Sequence, residues 1–595
     1  MPSSEKTFAL ALDAFRAGRL PEAERLLQTL LKREPSHLGA INVLAMVLIQ
    51  RGQFREAEPL LQRAVRNGPP SDATLYNYGV ALRFLRRPAE AVERFNAALA
   101  LNSAVADTWN ARGVALNDLR RHEDALKDFD RAIGLRKDYA EPFVNKGKAL
   151  IALGRHDDAI ASFDKAIALN PNFAEAFVGR GSAFVELRKS EEAKASFDRA
   201  IELKPDMPEA WLGRGSVFGG MRQRENAIAA YEKALSLKPD LVEAWAGRGD
   251  QFAELGRLDD AITDYDKAIA INPDFPRAYV EKSLCLLVLG RFDEGWTFYE
   301  WRRRLKLRPE ELQGISEYLT SRDLAGKKVL ALSEQGVGDE IMFASILPDL
   351  MKDASSIAYQ VDPRLVTLLQ RAYPPVRVVS RGAPEELRKE DYDVVMWSGG
   401  LGHAYRHKAS DFPGRPYLNA DPAIVSRWKD DLRSKTDLFT VGISWRGGTP
   451  ATNGERRSLT LDQLRPLFAG SDCAFVSLQY GDVKREVTEF NERGGRIILY
   501  DRETLDDFEN LAGLIEALDL VVSVQNTTVH LCGALGKTCL GMLPFVPEWR
   551  YGLSGRTMIW YRSIELYRQD RSDDWTNVIE EIGARIGEEI ARAKK

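Results

Sequence analysis

Three short stretches of this 595-residue chain hold residue types that could do chemistry. The first, "ALSEQGVGDEIMFA", reads as a strand, a glycine turn and the opening of a helix. Gly336 and Gly338 supply two glycines of a dinucleotide fingerprint, but Ile341 stands where the third belongs. Asp339 and Glu340 place two carboxylates beside the helix amides, where they would repel a pyrophosphate that the helix dipole alone attracts. Something other than phosphate is therefore expected at this turn, and the structural reading of Asp339 is a helix N-cap. Glu340 reads as a solvent-facing neighbour.

The second stretch, "VVSVQNTTVHLCGALG", predicts a strand ending near Val524, a polar turn at Gln525 and Asn526, and a helix from about Thr527. Amides at that helix start, with the Thr527 and Thr528 hydroxyls, form a neutral anion cradle. His530 is placed either to donate to a bound oxygen or to pack, and Cys532 reads as core. The third stretch, "SWRGGTPATNGERRS", carries Arg446, Arg456 and Arg457, whose guanidinium forks match phosphate oxygens. The alternative for it is a solvated loop. Two weaker candidates follow. Asp391 and Asp393 precede a strand and read as acids at its start, not as a metal site. In "SGGLGHAYRHKASDF", His403 either reaches a cleft or lies on an exposed loop.

These stretches all fall in the second half, and the first half is an array. Gly79, Gly113, Gly147, Gly181, Gly215 and Gly249 recur every 34 residues. Alanines recur in the same register at Ala91, Ala125, Ala159, Ala193, Ala227 and Ala261, and again from Ala98 to Ala268. An aromatic residue precedes most of the glycines by four positions, as at Trp109, Phe143 and Trp211. The register extends back to Ala23 and Ala57, with Pro35 and Pro69, and decays forward at Ser283, Gly295 and Arg302. Fixed-period small residues mark stacked helix pairs, each needing its neighbour to bury an apolar face. We count eight repeats and a degraded ninth acting as a cap.

From about residue 326 the pattern changes to short β-rich runs alternating with helices, first "KKVLALS", "SSIAYQV", "VRVVS" and "DYDVVMWSG". After the Pro/Gly-punctuated "DFPGRPYLNADP" come "FTVGISW", "CAFVSLQ", "GRIILYD", "LDLVVSV" and "KTCLGML", with a capping box at Thr460 and Gln463. Two α/β units joined by a linker would enclose a cleft at their strand C-termini. The expected boundaries are 1–308 for the array, 309–325 for a connector, and 326–420 and 421–595 for the two lobes.

A net charge of −4 with interspersed signs gives no reason to expect nucleic acid or an anionic membrane. Four cysteines without a paired motif suit a reducing, cytoplasmic setting. The N-terminus lacks the plan of a signal peptide, and no apolar run is long enough to span a membrane.

The segments "QGVGDEIMFASILPDL", "VGISWRGGTPATNGERRSLTLDQL", "FVSLQYGD" and "LAGLIEALDLVVSVQNTTVHLCGALGK" together resemble the two-lobed GT-B glycosyltransferases. Among these they are most similar to the heptosyltransferase-like family 9, in the version fused to tetratricopeptide repeats. The resemblance implies an α-solenoid followed by two Rossmann-like lobes, and a metal-independent, inverting enzyme needing no cofactor beyond a nucleotide-sugar donor. It implies Asp339 as general base, with Gly336, Gly338 and His403 on the acceptor side. Arg446, Arg457, Gln525, Asn526, Thr527, Thr528 and His530 would bind the donor. Heptosyltransferases carry an aspartate where this chain has Gln525, which speaks against heptose. The plan is also similar to that of O-GlcNAc transferases and soluble flagellin glycosyltransferases, implying a protein acceptor on the array. The alternatives are a non-catalytic repeat scaffold with a relic GT-B half, and a lipopolysaccharide heptosyltransferase-like enzyme.

Overall fold

The computed structural model describes the chain apart from residues 1–2, 69–70, 306–315, 318–320, 335, 384–386, 449–453 and 469–471. Pro69 and most of the expected connector therefore lie outside the described residues, as does part of the basic loop. The chain divides into two compact units, Met1–Gly247 and Arg248–Lys595.

The first unit is a right-through stack of helix pairs, from Ser4–Arg16 and Leu20–Arg33 to Pro208–Gly220 and Arg224–Leu237. Its periodic glycines have a single physical cause. A Cβ on Gly147 would lie 2.6 Å from the Phe163 ring, and one on Gly179 would lie 2.3 Å from the same ring. Phe197 is held likewise between Gly181 and Gly213, and Tyr231 between Gly215 and Gly247. The aromatic wedge in each second helix is the partner that the small-residue signature implies. The aromatic residue preceding the glycine has a separate role: the Trp109 indole donates to the Ser103 carbonyl at 2.9 Å and that of Trp211 to the Pro205 carbonyl at 2.9 Å. Between neighbouring repeats the Asn145 amide donates to the Asn110 side-chain oxygen at 2.9 Å.

A basic residue just before five of the six periodic glycines, all but Gly79, adds a polar seam. Arg112 forks onto Asp128 at 2.6 and 2.7 Å, and Lys146 reaches Asp130 at 2.6 Å.

The second unit begins inside the helix Val242–Glu254 and includes the repeat helices Leu258–Ile271, Pro276–Val288 and the short Phe292–Tyr299. Two sheets follow. The first contains β1 (Ser316–Glu317), β2 (Lys328–Leu332), β3 (Ser356–Val361), β4 (Arg377–Ser380) and β5 (Val394–Trp397), in the order β1-β5-β2-β3-β4 with every pairing parallel. The second contains β6 (Phe439–Ser444), β7 (Cys473–Ser477), β8 (Ile497–Ile498), β9 (Leu520–Val524), β10 (Cys539–Leu543), β11 (Thr557–Met558) and β12 (Tyr561–Arg568). Its order is β11-β12-β10-β9-β6-β7-β8, parallel except for the β11–β12 pair. Each of the nine β-rich runs in the sequence holds one of these strands, whereas β1, β11 and β12 were not anticipated. In both sheets the chain reverses its direction of winding, between β2 and β5 and between β6 and β9, which leaves a crevice at the strand C-termini.

The reversal beside β2 is braced by the last repeat. Arg302 forks onto the buried Glu334 carboxylate with two bonds of 2.8 Å and also reaches Glu300 at 2.7 Å. Its replacement of a small residue in the repeat register thus reflects a new task. Asp393 accepts from the Lys328 amide at 2.9 Å, as expected of an acid at the start of a strand. The Thr460 and Gln463 box forms in both directions, at 2.8 and 3.2 Å.

The wedge geometry separates two glycine substitutions that are chemically identical. Gly134 has open space where a Cβ would stand, so Gly134→Ala gains helix propensity of up to about 1 kcal/mol. Gly179→Ala must displace the Phe163 ring, and overpacking of about 1–3 kcal/mol exceeds that gain. Urea unfolding of the full chain is expected to show a raised midpoint for the first and a lowered one for the second.

Candidate functional site

The glycine turn after β2 and the polar turn after β9 meet face to face. Gly336 caps the helix Val337–Ala344, and Asn526 caps the helix Thr527–Leu535. A Cβ on Gly338 would lie 3.1 Å from His530 and 3.5 Å from the Thr527 backbone, so the glycine permits the two helix starts to approach. Around this contact lies a cavity of about 590 Å³ within the second unit. Its lining includes Gly336, Gly338, Asp339, Arg457, Gln525, Asn526, Thr527, Thr528 and His530, drawn from stretches nearly 200 residues apart.

Of the residues that the resemblance implies for the site, Arg446 and His403 are not in this lining. The Arg446 side chain turns away to Glu486, while its carbonyl accepts from Asn526 at 3.1 Å. His403 lies half-buried in the helix Gly400–Tyr405, and burial holds its pKa below the ordinary value. That helix packs on the last repeat, where Gly402 accommodates the Trp296 ring.

Asp339 sits in the first turn of its helix but is not the N-cap, which is Gly336. Its carboxylate accepts from Arg550 at 2.5 Å. Burial raises its pKa, and the adjacent guanidinium opposes that shift. Arg550 also bonds to Glu548 at 2.6 Å, and Glu548 in turn pairs with Arg457. An alternating chain of charge, Asp339–Arg550–Glu548–Arg457, therefore crosses the cavity. Sequence reasoning missed Glu548 and Arg550. The available signal was two charged residues in "LPFVPEWRYG", directly after an apolar strand.

Glu340 does not face solvent. It is fully buried, binding Ser333 and accepting from the Asp362 amide at 2.6 Å, because it ties the end of β2 to the end of β3. The polar turn after β9 is also more structural than its composition suggests. The Asn526 side chain occupies the Thr528 amide at 2.9 Å and donates to Ser444 at 2.6 Å. One of the amides expected to be free for an anion is thus already used. His530 is buried between Tyr551 and Tyr561, at 3.4 and 3.5 Å. Burial and the nearby Arg550 drive its pKa down to about 3, so the ring is neutral. Gln525 is 1 % exposed, and neither polar atom of its amide has a hydrogen-bond partner among the described residues. Cys532 is buried, as are the other three cysteines, and all are free thiols.

Among the described residues, no group of three or more His, Cys, Asp or Glu is placed to hold a metal ion. Nor, among the described residues, is any helix long and apolar enough to cross a membrane.

Comparison with known proteins places the repeats and corrects the chemistry. Tetratricopeptide-repeat family models match residues 8–72, 42–83, 76–140, 144–208 and 178–218, and others match 208–241 and 249–281. Residues 8–241 thus form a tetratricopeptide-repeat α-solenoid, an architecture that generally mediates protein–protein contacts. Protein FlbA of Caulobacter vibrioides is 30% identical over 274 residues, covering 43% of this chain and 46% of that protein, so the chain spans less than half the length of this relative. The chain is also similar to a tetratricopeptide repeat protein from Parabacteroides merdae, at 20% identity over 42% of this chain and 98% of that one, with a TM-score of 0.37. A further similar structure is YrrB, described as a TPR protein with an unusual peptide-binding site, at 24% identity over 31% of this chain and 96% of that one, with a TM-score of 0.26.

The expectation of a glycosyltransferase is overturned. The curated relative carries a name without any transferase activity, and the matched families are interaction repeats. Transferase chemistry, a nucleotide-sugar donor and protein glycosylation therefore do not carry over to this chain, nor does the heptosyltransferase-like alternative.

Two measurements test the site. Arg550→Met strands a buried carboxylate and is expected to cost about 3–5 kcal/mol, much of it recovered when Asp339→Asn is added. A urea double-mutant cycle reads this directly, and additive losses would refute the pairing. His530 has a folded pKa of about 3 against an ordinary 6.5, so its contribution is complete above pH 6.5 and is lost as pH falls from 6.5 towards 3. Between pH 8 and pH 5 wild type should lose about 2 kcal/mol more stability than His530→Gln.

Proposed function

We propose that this chain is a non-catalytic recruitment scaffold: the repeat array holds a polypeptide partner, and the second half is a relic two-lobed body of GT-B plan. In this reading the array covers residues 1–308 and the connector 309–325. Residues 326–420 and 421–595 are two Rossmann-like lobes. The reading is supported by the winding of the second sheet, because β8-β7-β6-β9-β10-β12 follows the doubly wound order. The cross-paired charges of the cleft support a body kept for shape and binding. Gly336, Gly338, Arg457, Gln525, Asn526, Thr527, Thr528 and His530 then line a ligand-sized pocket without turnover, and Asp339 serves as an ion-pair partner. The four free, buried thiols suit the cytoplasm.

The observation that carries recruitment is an apolar column on the first unit. Leu101, Leu135 and Leu169 close successive second helices at 34-residue spacing, and they are 58%, 37% and 42% exposed. Apolar side chains left in water at one recurring position of a stack form a surface that a partner can cover. A polypeptide segment presenting apolar side chains fits it.

The test is in-cell crosslinking of the full chain, with partners identified by mass spectrometry. Replacing all three leucines with lysine should leave the melting temperature nearly unchanged, because surface changes are usually within about 0.5 kcal/mol. The same change should remove the partners that wild type crosslinks, whereas Asp339→Asn should retain them. An unchanged partner set in the leucine variant, or its loss in Asp339→Asn, would overturn the reading.

A further inference from the structure

A second cavity, of about 460 Å³, lies within the second unit between the helices Val242–Glu254 and Pro276–Val288 and the segment 544–550 that follows β10. Its walls are largely apolar, with Leu258, Val280, Leu284, Val288, Val546 and Trp549 among them. Four arginines also reach it, and each is neutralised in place: Arg302 by Glu334 and Glu300, Arg456 by Glu254, Arg457 by Glu548, and Arg550 by Asp339.

Two polar groups in the lining stand differently. Among the described residues no hydrogen bond or ion pair is made to Glu281, and burial followed by the nearby Asp250 pushes its carboxyl up to about 7, against the opposing pull of Arg277. Arg277 itself is bonded to Asp250. Gln525 lies where this cavity and the cleft adjoin, lining both, and its buried amide offers an unused donor and an unused acceptor. Leaving both halves of an amide unpaired in the interior is unfavourable, so the site favours a ligand that supplies them. A carboxyl at an apolar wall with its partner missing favours a cation on an apolar stem. The Cys285 thiol beside it is pushed up to about 12 and stays neutral, so it does not compete for that charge.

We propose that this cavity binds a lysyl residue of a polypeptide, with the ammonium on Glu281, the alkyl stem along the apolar walls and a main-chain amide on Gln525. The donor and acceptor of the glutamine amide match the carbonyl and N–H of a peptide group, which a free amine lacks. The site is separate from the leucine column and does not depend on it.

Saturation-transfer NMR titrations of the full chain test it with three probes: Nα-acetyl-lysine N-methylamide, its norleucine counterpart and n-butylammonium. The lysine amide is expected to bind at least about tenfold more tightly than the norleucine amide, and Glu281→Gln should abolish that advantage. Gln525→Leu should weaken the lysine amide and leave n-butylammonium unchanged. Val280→Phe, which fills the cavity, should remove binding of all three. Equal affinity for the lysine and norleucine amides, full affinity in Glu281→Gln, or binding that survives Val280→Phe would overturn the site. n-Butylammonium binding as tightly as the lysine amide would overturn the polypeptide source in favour of a free amine. The leucine-column variant should bind the probes as wild type does, so failure of the recruitment surface and failure of this site are read separately.

Discussion

The fork between Arg302 and Glu334 holds the second unit in its form. Both groups are out of water, and a buried charge is tolerable only when its partner is close and the remaining lone pairs are used. Here the two bonds of 2.8 Å are joined by the Gly399 amide, which donates to the same carboxylate at 2.5 Å. Gly399 can do so because any Cβ would stand 2.3 Å from that carboxylate. The clamp joins the end of the repeat helices to the switch point of the first sheet. Around it Trp296 packs edge-on against Tyr299, Phe343 and Trp549, with Gly402 leaving room for the ring. The last helix pair is thus a repeat that has exchanged its small residues for anchoring ones.

From this anchor the two cavities follow. Tyr299, Arg302 and Trp549 wall one of them, and Trp549 leads directly into Arg550, whose pairing with Asp339 crosses the other. The Gly338 and His530 contact sets how near the two helix starts come, and the arginines of the cleft are matched to carboxylates of the same chain. An acid on a glycine turn has the composition of a general base. Its neighbour 211 residues away holds it in an ion pair. A motif specifies which groups are available, whereas the occupancy of their lone pairs decides what those groups do.

The array was legible because one packing constraint is repeated. A glycine facing an aromatic wedge recurs every 34 residues, and repetition turns a weak local signal into a clear one. The aromatic half of that constraint, Phe95, Phe129, Phe163, Phe197, Tyr231 and Tyr265, is as regular as the glycines and was available to a closer reading. The buried parallel strands were legible as apolar runs bounded by turns. The two-residue β1 offers no period to detect, and β12 is only half-buried, with Arg562 exposed and charged residues along its length.

What residue order alone determined here is therefore local or periodic: the helix pairs, the buried strands, the two turns and the residue types at each. These follow from backbone preferences and from burial patterns that act over a few residues. Tertiary structure decided the partners. It set Asp339 against Arg550, placed Glu340 in the interior, turned Arg446 and His403 away from the cleft, and left the Gln525 amide unpaired between two cavities. The physical reason is that desolvation and charge pairing depend on distances between residues remote in the chain, which no local pattern records.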